Sequence, residues 1–583
     1  MSSWCRQKPA VCFALASACL IALLYWQVLR IPFVYDDVLT IQHNAALASW
    51  AAIGHYFRQA VPLNNDYRGA AGSIYRPLIW LGFIIERHVW GPNSSGYHVV
   101  NLVFHWANGL LVFQLLRKLH ASLNQAAAIS LIWLALPINS EAVAWISGLH
   151  TLQAAFFILL TLWIALRYAG QRIALWLALY FLAALAALLS NEWGALFLPL
   201  TAFLLWLRSG LKQAIGLRLA GAALISFVIY LPLRYHAGAR LPLGSPAIFP
   251  VGLSLAHYAS WIFLPVGMSV ERSTDTPPDS ASFAAIFALL ALALLLATLW
   301  FLRCRVPWIA AGITWTLICL LPFSGIVFVY QGMAERYTYL ASIGISLAAI
   351  AVVSYLKNQR RQSWLVFLGL WSIASAVRLE KRLVDWRTEA SLFESSLQTN
   401  PRSPVLLFNL GVLQSEAGDN EAAIRYYGRA LAANPNYVSP LLNLANLLAA
   451  EGNYEEAIAF DKRATLLDPA SSDPWIDLGT AYLQSKQLPL AREAFEKALQ
   501  LNSRAIEARL NLGALFVAQA NLPAAQEQFR QAIADDPSSA SAYLDLGLVL
   551  QRQGDRAQAR QLFKKALALD PSNSEAHRAL DRN

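Results

Sequence analysis

Asp36 and Asp37 stand side by side directly after an apolar run from Val11 to Leu29. Two adjacent carboxylates at a membrane edge suit general-base work or cation coordination, and a carboxylate there is costly unless it has a use. A solvated helix cap is the other reading, since Asp is favoured at helix N-termini. Further on, His98, Asn101, His105 and Asn108 recur at i, i+3, i+7 and i+10. At 3.6 residues per turn they fall within about 80° of one another. A polar stripe on an apolar helix must face protein or a wet cavity. Helix–helix bonding is expected for the deeper His105 and Asn108, and site lining for His98 and Asn101. Tyr75-Arg76-Pro77, Asn139-Ser140-Glu141, Ser190-Asn191-Glu192 and Ala334-Glu335-Arg336-Tyr337 add polar groups between apolar runs. Arg336 beside Glu335 reads as an ion pair or as a grip on phosphate, whose oxygens a guanidinium binds bidentately.

These residues need elements to hold them. A helix takes about 20 apolar residues to cross a bilayer, and eleven segments approach that: 11–29, 97–116, 124–139, 149–168, 173–189, 194–207, 217–233, 282–302, 308–329, 338–356 and 363–378. Segments 77–90 and 251–266, interrupted by charge, Pro or Gly, read as interfacial or re-entrant pieces. With this threading, all ten acidic residues of the first 377 gather on one side: Asp36, Asp37, Asp66, Glu86, Glu141, Glu192, Glu271, Asp275, Asp279 and Glu335. The opposite loops carry bases alone, among them Arg6, Lys8, Arg117, Lys118, Arg208, Lys212, Arg303 and Lys357. Lys/Arg enrichment marks the cytoplasmic side, so the acid-bearing face is expected outside, with the N-terminus inside.

Composition supports the same division. Apolar residues make up 57% of the 583, and the net charge of +10 resides in the first 377 residues, which carry a net +13. That excess is the sidedness signal, so a nucleic-acid surface is not expected. The five cysteines avoid the external loops and the C-terminal half, which excludes a disulfide framework, and no metal-ligand spacing appears. The basic start and first apolar run are expected to form an uncleaved signal anchor.

From residue 404 the sequence repeats every 34 residues. Asn409, Asn443, Asp477, Asn511 and Asp545 share one position, and Ala423, Ala457, Ala491, Ala525 and Ala559 another. Pro401, Pro435, Pro469, Pro537 and Pro571 close the units. This is the tetratricopeptide pattern of paired antiparallel helices, which stack into a solenoid with a concave groove. The shared Asn/Asp position is expected to face that groove, and an extended peptide is the expected occupant. The segment from Asp385 to Asn400 reads as a lone second helix, with Phe393 and Leu397 against the first full repeat.

With these motifs in place, the chain resembles the transmembrane and tetratricopeptide-repeat O-mannosyltransferase-like family and its bacterial relatives, membrane glycosyltransferases of GT-C type. The likeness rests on Tyr35-Asp36-Asp37 with Asn44, Tyr75-Arg76-Pro77, the His98 to Asn108 helix, Glu141-Ala-Val-Ala-Trp145 and Ala334-Glu335-Arg336-Tyr337. Trp386, Glu389 and Leu392-Phe393 before the repeats, and the repeats themselves, extend it. It implies a polyprenyl-phosphate sugar donor and an acceptor on the extracytoplasmic side. One of Asp36 or Asp37 would deprotonate the acceptor hydroxyl, and the other would orient it or help to hold a divalent cation, Mg or Mn. Arg76 and Arg336 would steady the leaving phosphate. Tyr75, His98, Asn101, Glu141, Glu192, Glu335 and Tyr337 would line the site. Two departures stand out. Relatives carry an Arg-Lys-Asp-like patch where this chain has Leu149-His150-Thr151, and Ser-Lys-Glu where it has Ser190-Asn191-Glu192.

The sequence thus predicts an all-α protein. A polytopic GT-C-like bundle spans 1–378, a connecting half repeat 379–403, five tetratricopeptide repeats 404–573 and a C-terminal cap 574–583. The expected function is a glycosyltransferase in a bacterial inner membrane, its periplasmic repeats recruiting an acceptor protein, with membrane lipid and lipid-linked sugar as partners. The alternative is a non-catalytic membrane-anchored scaffold for envelope proteins. A transporter is disfavoured, because the acids cluster at one face rather than at the bilayer midplane.

Overall fold

Apolar runs this long satisfy their backbone groups as helices, and the computed structural model of the chain is helical almost throughout. It describes residues 8–62, 73–167, 172–207, 213–239, 251–263, 267–270, 283–323 and 334–582. Asp66, Glu271, Asp275 and Asp279, together with Arg6, Arg208 and Lys212, lie outside these residues. The described chain divides into two compact units, one up to residue 406 and one from residue 407 on.

In the first unit, six helices are long and apolar enough to cross a membrane: Pro9–Arg30, Ser94–Lys118, Ile146–Arg167, Ile173–Ser190, Ile215–His236 and Asn358–Asp385. A seventh forms if Leu123–Leu134 and Pro137–Ala144, bent by 56°, count as one span. Of the other four expected segments, Phe283–Leu302 is an uncharged apolar helix of 20 residues, and Glu192–Leu207, Pro307–Phe323 and Ala341–Tyr355 are shorter over their described residues. With Phe283–Leu302, seven helices among the described residues are long enough to cross, or eight with the bent pair, where the sequence predicts about eleven. Pro77–Trp90 and Val251–Phe263, expected as interfacial pieces, are helices of 14 and 13 residues. A two-residue antiparallel pairing joins Val61–Pro62 to Ser73–Ile74 within the connection between the first two long helices.

Local chemistry fixes the breaks that matter. Asn93 caps the Ser94–Lys118 helix by accepting from the Ser95 N–H, and Ser122 with Gln125 forms a capping box before Leu123. Pro137 removes a backbone donor, and the Asn139 amide answers the freed Trp133 carbonyl at 2.7 Å, which sets the bend. The chain then turns back within a few residues. A Cβ on Gly148 would lie 2.6 Å from the Ala142 carbonyl oxygen, so only glycine fits that turn. Gly312 and Gly344 let Pro307–Leu320 and Ala341–Tyr355 touch backbone to backbone, since a Cβ on Gly344 would meet the Gly312 oxygen at 2.2 Å.

The last long helix departs from its predicted end at 378. With no Pro or Gly after Arg378 it continues to Asp385, and a Thr388–Ser391 capping box then starts Glu389–Thr399. Phe393, expected against the first repeat, lies edge-on to Tyr35 with ring centroids 5.9 Å apart.

The second unit is the solenoid. Paired helices run from Pro404–Glu416 with Asn420–Ala433 to Ala540–Arg552 with Arg556–Leu569, and Ser574–Asp581 follows. Ala423, Ala457, Ala491, Ala525 and Ala559 are fully buried where the two helices of each unit meet. The Asn/Asp position joins neighbouring first helices: Asn511 donates to the Thr480 hydroxyl at 3.1 Å, and Asn446 to Asp477 at 3.5 Å. Asn443 instead donates to the Tyr427 hydroxyl at 3.2 Å. Asn409 and Asp545 are half-buried at the same register.

Candidate functional site

Tyr35 adopts φ of +60°, a left-handed conformation that a bulky residue takes only under constraint. Its N–H is held by the Glu389 carboxylate at 2.8 Å. That turn sends the two following carboxylates different ways. Asp37 points inward with 0% exposure. Its Oδ1 accepts the Ser147 N–H at 2.8 Å and the Ser147 hydroxyl at 2.5 Å, and its Oδ2 the Ile146 N–H at 3.2 Å. It thereby caps the Ile146–Arg167 helix from the far end of the first loop. Asp36 faces solvent, and its carboxylate accepts no hydrogen bond from the described residues.

Burial pushes both acids up. Asp37 rises to about 7, opposed by its Ser147 and Ile146 bonds and helped by Asp36. Asp36 rises to about 6; crowding by protein is the largest cause, with Arg336 pulling down and Glu389 pushing up. Asp36 is both open to water and crowded, as a group on the wall of a recess would be. A carboxyl near 6 in such a place can hold and release a proton close to neutral pH.

Arg336 comes from the Glu335–Thr338 turn. Its guanidinium pairs with Glu141, whose second oxygen accepts the Arg336 N–H at 2.8 Å. The guanidinium also lies over the Trp145 ring at 5.3 Å and the Tyr337 ring at 5.0 Å, and Tyr337 stacks on Phe323. Glu192 takes Arg76 at 2.8 Å and Arg234 at 3.0 Å, so one carboxylate holds two guanidiniums side by side. His150 lies within the fields of Arg76 and Arg336, and its Nδ1 bonds the Ser147 carbonyl at 2.5 Å. Two arginine-bearing lips, Asp36 and Asp37 therefore converge on the turn between Glu141 and His150.

Several predicted site residues serve the frame instead. His98 bonds the Ile31 carbonyl at 3.0 Å through Nε2, and the Asn101 amide donates to the Trp145 carbonyl at 2.9 Å and to those of Val143 and Ile146. Both are buried, so they fix the first loop and the Glu141–Ser147 turn rather than line a cavity. His105 and Asn108 meet the Tyr339 hydroxyl at 2.7 and 3.2 Å, the helix–helix bonding expected of them. Tyr75 is buried and donates to the Phe57 carbonyl. Glu335 is fully buried and pairs with Arg382 at 2.9 Å, which ties its turn to the last long helix.

Two further candidates carry no signal in the spacing of the sequence. Arg234 ends a helix with no recognisable spacing to any acid, yet it supplies a base at the lip beside Asn191 by pairing with Glu192. Glu389, in the sequence only one member of the motif before the repeats, holds the Tyr35 turn. Among the described residues, no three His, Cys, Asp or Glu side chains are grouped to hold a metal ion. Asp37 is already occupied by three donors, so these residues do not by themselves fit a divalent cation.

The fold and these clusters define an integral membrane protein of helical bundle and tetratricopeptide type. The tetratricopeptide-repeat family matches residues 414–478, 472–504 and 510–574. Curated relatives over most of the chain are protein O-mannosyl-transferases. One from Caenorhabditis elegans is 24% identical over 68% of this chain and 59% of its own length. Human TMTC4 is 26% identical over 68% of this chain and 63% of its own length. Human TMTC2 reaches 32% identity over 25% of this chain and 18% of its own length. The chain thus spans about three-fifths of the length of the first two relatives. Among solved structures, MamA is 30% identical and covers 28% of this chain and 96% of its own, with a TM-score of 0.25.

Proposed function

We propose that the protein is a GT-C-type membrane glycosyltransferase, moving a sugar from a polyprenyl-phosphate donor to an extracytoplasmic Ser/Thr or glycan acceptor that the repeats recruit. One observation carries the reading. Asp36 is an open carboxylate, set near 6 and within the field of Arg336, in a chain whose curated relatives are protein O-mannosyl-transferases. Mannose is accordingly the first sugar to try.

In the transfer, the acceptor hydroxyl gives its proton to the Asp36 carboxylate as its oxygen bonds the anomeric carbon. The bond from that carbon to the lipid phosphate breaks, and its electron pair leaves on the phosphate oxygen. Arg76, Arg234 and Arg336 meet the charge that develops there. Asp37 holds the Ile146–Ser147 turn against the first loop and so orients the base. No step is assigned to a metal ion. The site faces the compartment opposite the basic loops, the periplasm if the membrane is a bacterial inner membrane, and the repeats raise the local concentration of acceptor there.

The test is transfer from polyprenyl-phosphate mannose to a Ser/Thr peptide by the purified full chain, with Asp36→Asn beside it. Loss of transfer in a folded variant supports the assignment. Full activity removes Asp36 as the base. Envelope function that persists without any transfer favours the scaffold alternative.

A further inference from the structure

In four of the five repeat units, an aromatic ring of the second helix lies against a glycine of the first. Tyr427 covers Gly411, Phe495 covers Gly479, Phe529 covers Gly513 and Phe563 covers Gly547; a Cβ on any of these glycines would meet the ring at 2.5 Å. The second unit breaks the rule. Asp461 stands at the ring position and Ala445 at the glycine position. Ala457 and Ala464 keep the 34-residue register on either side, so this is a replacement in place. The apolar core divides there. One cluster holds Tyr427, Leu444, Ala445 and Leu448, and another begins at Ile458 and runs to Ala579.

Asp461 is 1% exposed, and its Oδ1 has no hydrogen-bond partner. A buried carboxylate without compensation is strongly unfavourable. Asp477 stands to it as Asn443 stands to Tyr427 one repeat earlier, a pair bonded at 3.2 Å. It is half-buried on the next first helix, at the position expected to face the groove, and among the described residues it accepts one long bond from Asn446 at 3.5 Å. Burial, then the charge of Asp477, raises Asp461 to about 8. Burial, then Glu507 and Asp473, raises Asp477 to about 7, with Asn446 opposing. Neither pairs with a base among the described residues of the solenoid, whose ion pairs are Arg425–Glu421, Arg492–Glu496 and Arg509–Asp535. Lys462, beside Asp461 in sequence, lies over the Tyr482 ring instead.

We propose that Asp461 and Asp477 form a recognition site for a lysine side chain of an extended polypeptide lying in the repeat groove. Asp477 meets the ammonium at the mouth, and Asp461 answers it from behind. An ammonium suits the place because it is a compact point charge with three freely turning donors on a slender stem, whereas a guanidinium is a broad rigid fork. Charge-assisted bonds to two carboxylates would supply the counter-charge the unit lacks. The cation favours both carboxylates ionised, so binding expels protons and affinity rises with pH from about 6 to about 8. This rests on the peptide-binding reading of the groove and not on sugar transfer, whose failure would leave it standing.

The experiment measures binding of two labelled heptapeptides to the full chain in detergent micelles, by fluorescence anisotropy. Both are alanine and serine around one central residue, lysine in the first and N-acetyl-lysine in the second. At pH 8 the lysine peptide is expected to bind at least about tenfold more tightly, equivalent to about 1.4 kcal/mol. The preference should shrink toward pH 6 and fall in Asp461→Asn. The double variant Ala445→Gly with Asp461→Phe restores the pairing of the other four units, so it should stay folded and lose the preference. No measurable binding of the lysine peptide, equal binding of the two, or an undiminished preference in the folded double variant overturns the proposal.

Discussion

Ser147 donates twice to Asp37, from its backbone N–H at 2.8 Å and from its hydroxyl at 2.5 Å. Two residues 110 positions apart thus lock the first loop to the start of a long helix, and the lock separates the roles of two neighbouring acids. Asp37→Asn keeps one acceptor but turns the other into a donor facing an N–H. It should lower stability by about 1.5–3 kcal/mol, the worth of bonds to a charged group, visible as a lower unfolding midpoint in detergent. Asp36→Asn removes no hydrogen bond and should leave the midpoint within about 0.5 kcal/mol, as surface changes do. Its transfer rate should fall by about 10²–10⁴, the usual contribution of a general base. A reversed pattern would exchange the two assignments.

A base must be ionised to act, and Asp36 is set to about 6. Transfer should therefore climb as pH rises through 6 and level off above it. Glu389 is one of the groups pushing Asp36 up, so Glu389→Gln should move the midpoint of that climb to lower pH. Glutamine can still accept the Tyr35 N–H through its amide oxygen, which keeps the turn and isolates the charge effect. An unmoved midpoint would mean that another group controls the profile.

The repeats were legible because a 34-residue period imposes the same packing five times, and the apolar runs were legible because bilayer thickness sets their length. The polar stripe on the Ser94–Lys118 helix was legible only in part. Spacing showed that His98 and Asn101 share a face, but their partners are backbone carbonyls of Ile31, Val143, Trp145 and Ile146, which carry no side-chain signature. Arg234 was invisible for a related reason. Its link to Glu192 spans 42 residues and exists only because two helix ends meet. The bend at Pro137 was written in the sequence, yet its consequence, turning Glu141 toward Arg336 nearly 200 residues away, was not.

The glycine-ring pairs of the solenoid make a stability prediction independent of any activity. Gly479→Ala would place a methyl 2.5 Å from the Phe495 ring, which must shift within a full core. Overpacking of this kind costs about 1–3 kcal/mol. The reverse change, Ala445→Gly in the unit where Asp461 replaces the ring, removes no such clash and costs about 1 kcal/mol at most through helix propensity. Thermal unfolding of the two variants should rank them in that order. An equal loss in both would show that the ring is not what requires the glycine.

Arg234 and Arg76 share Glu192, and the sharing predicts how the lip should behave when one partner goes. Arg234→Met keeps much of the stem's bulk and removes one charge, leaving the Arg76–Glu192 pair intact. If Arg234 helps to bind the donor phosphate in the ground state, KM for the lipid-linked sugar should rise about 10- to 100-fold, the equivalent of one charge-assisted bond, with kcat little changed. If it acts only on charge that develops as the phosphate leaves, kcat should fall instead and KM hold. Arg234→Lys discriminates further, because a lysine restores the charge without the planar fork, and substantial rescue would mean that charge matters more than bidentate geometry. Unchanged kinetics in a folded Arg234→Met protein would reduce this residue to a structural partner of Glu192 and leave Arg336 and Arg76 as the phosphate-facing bases.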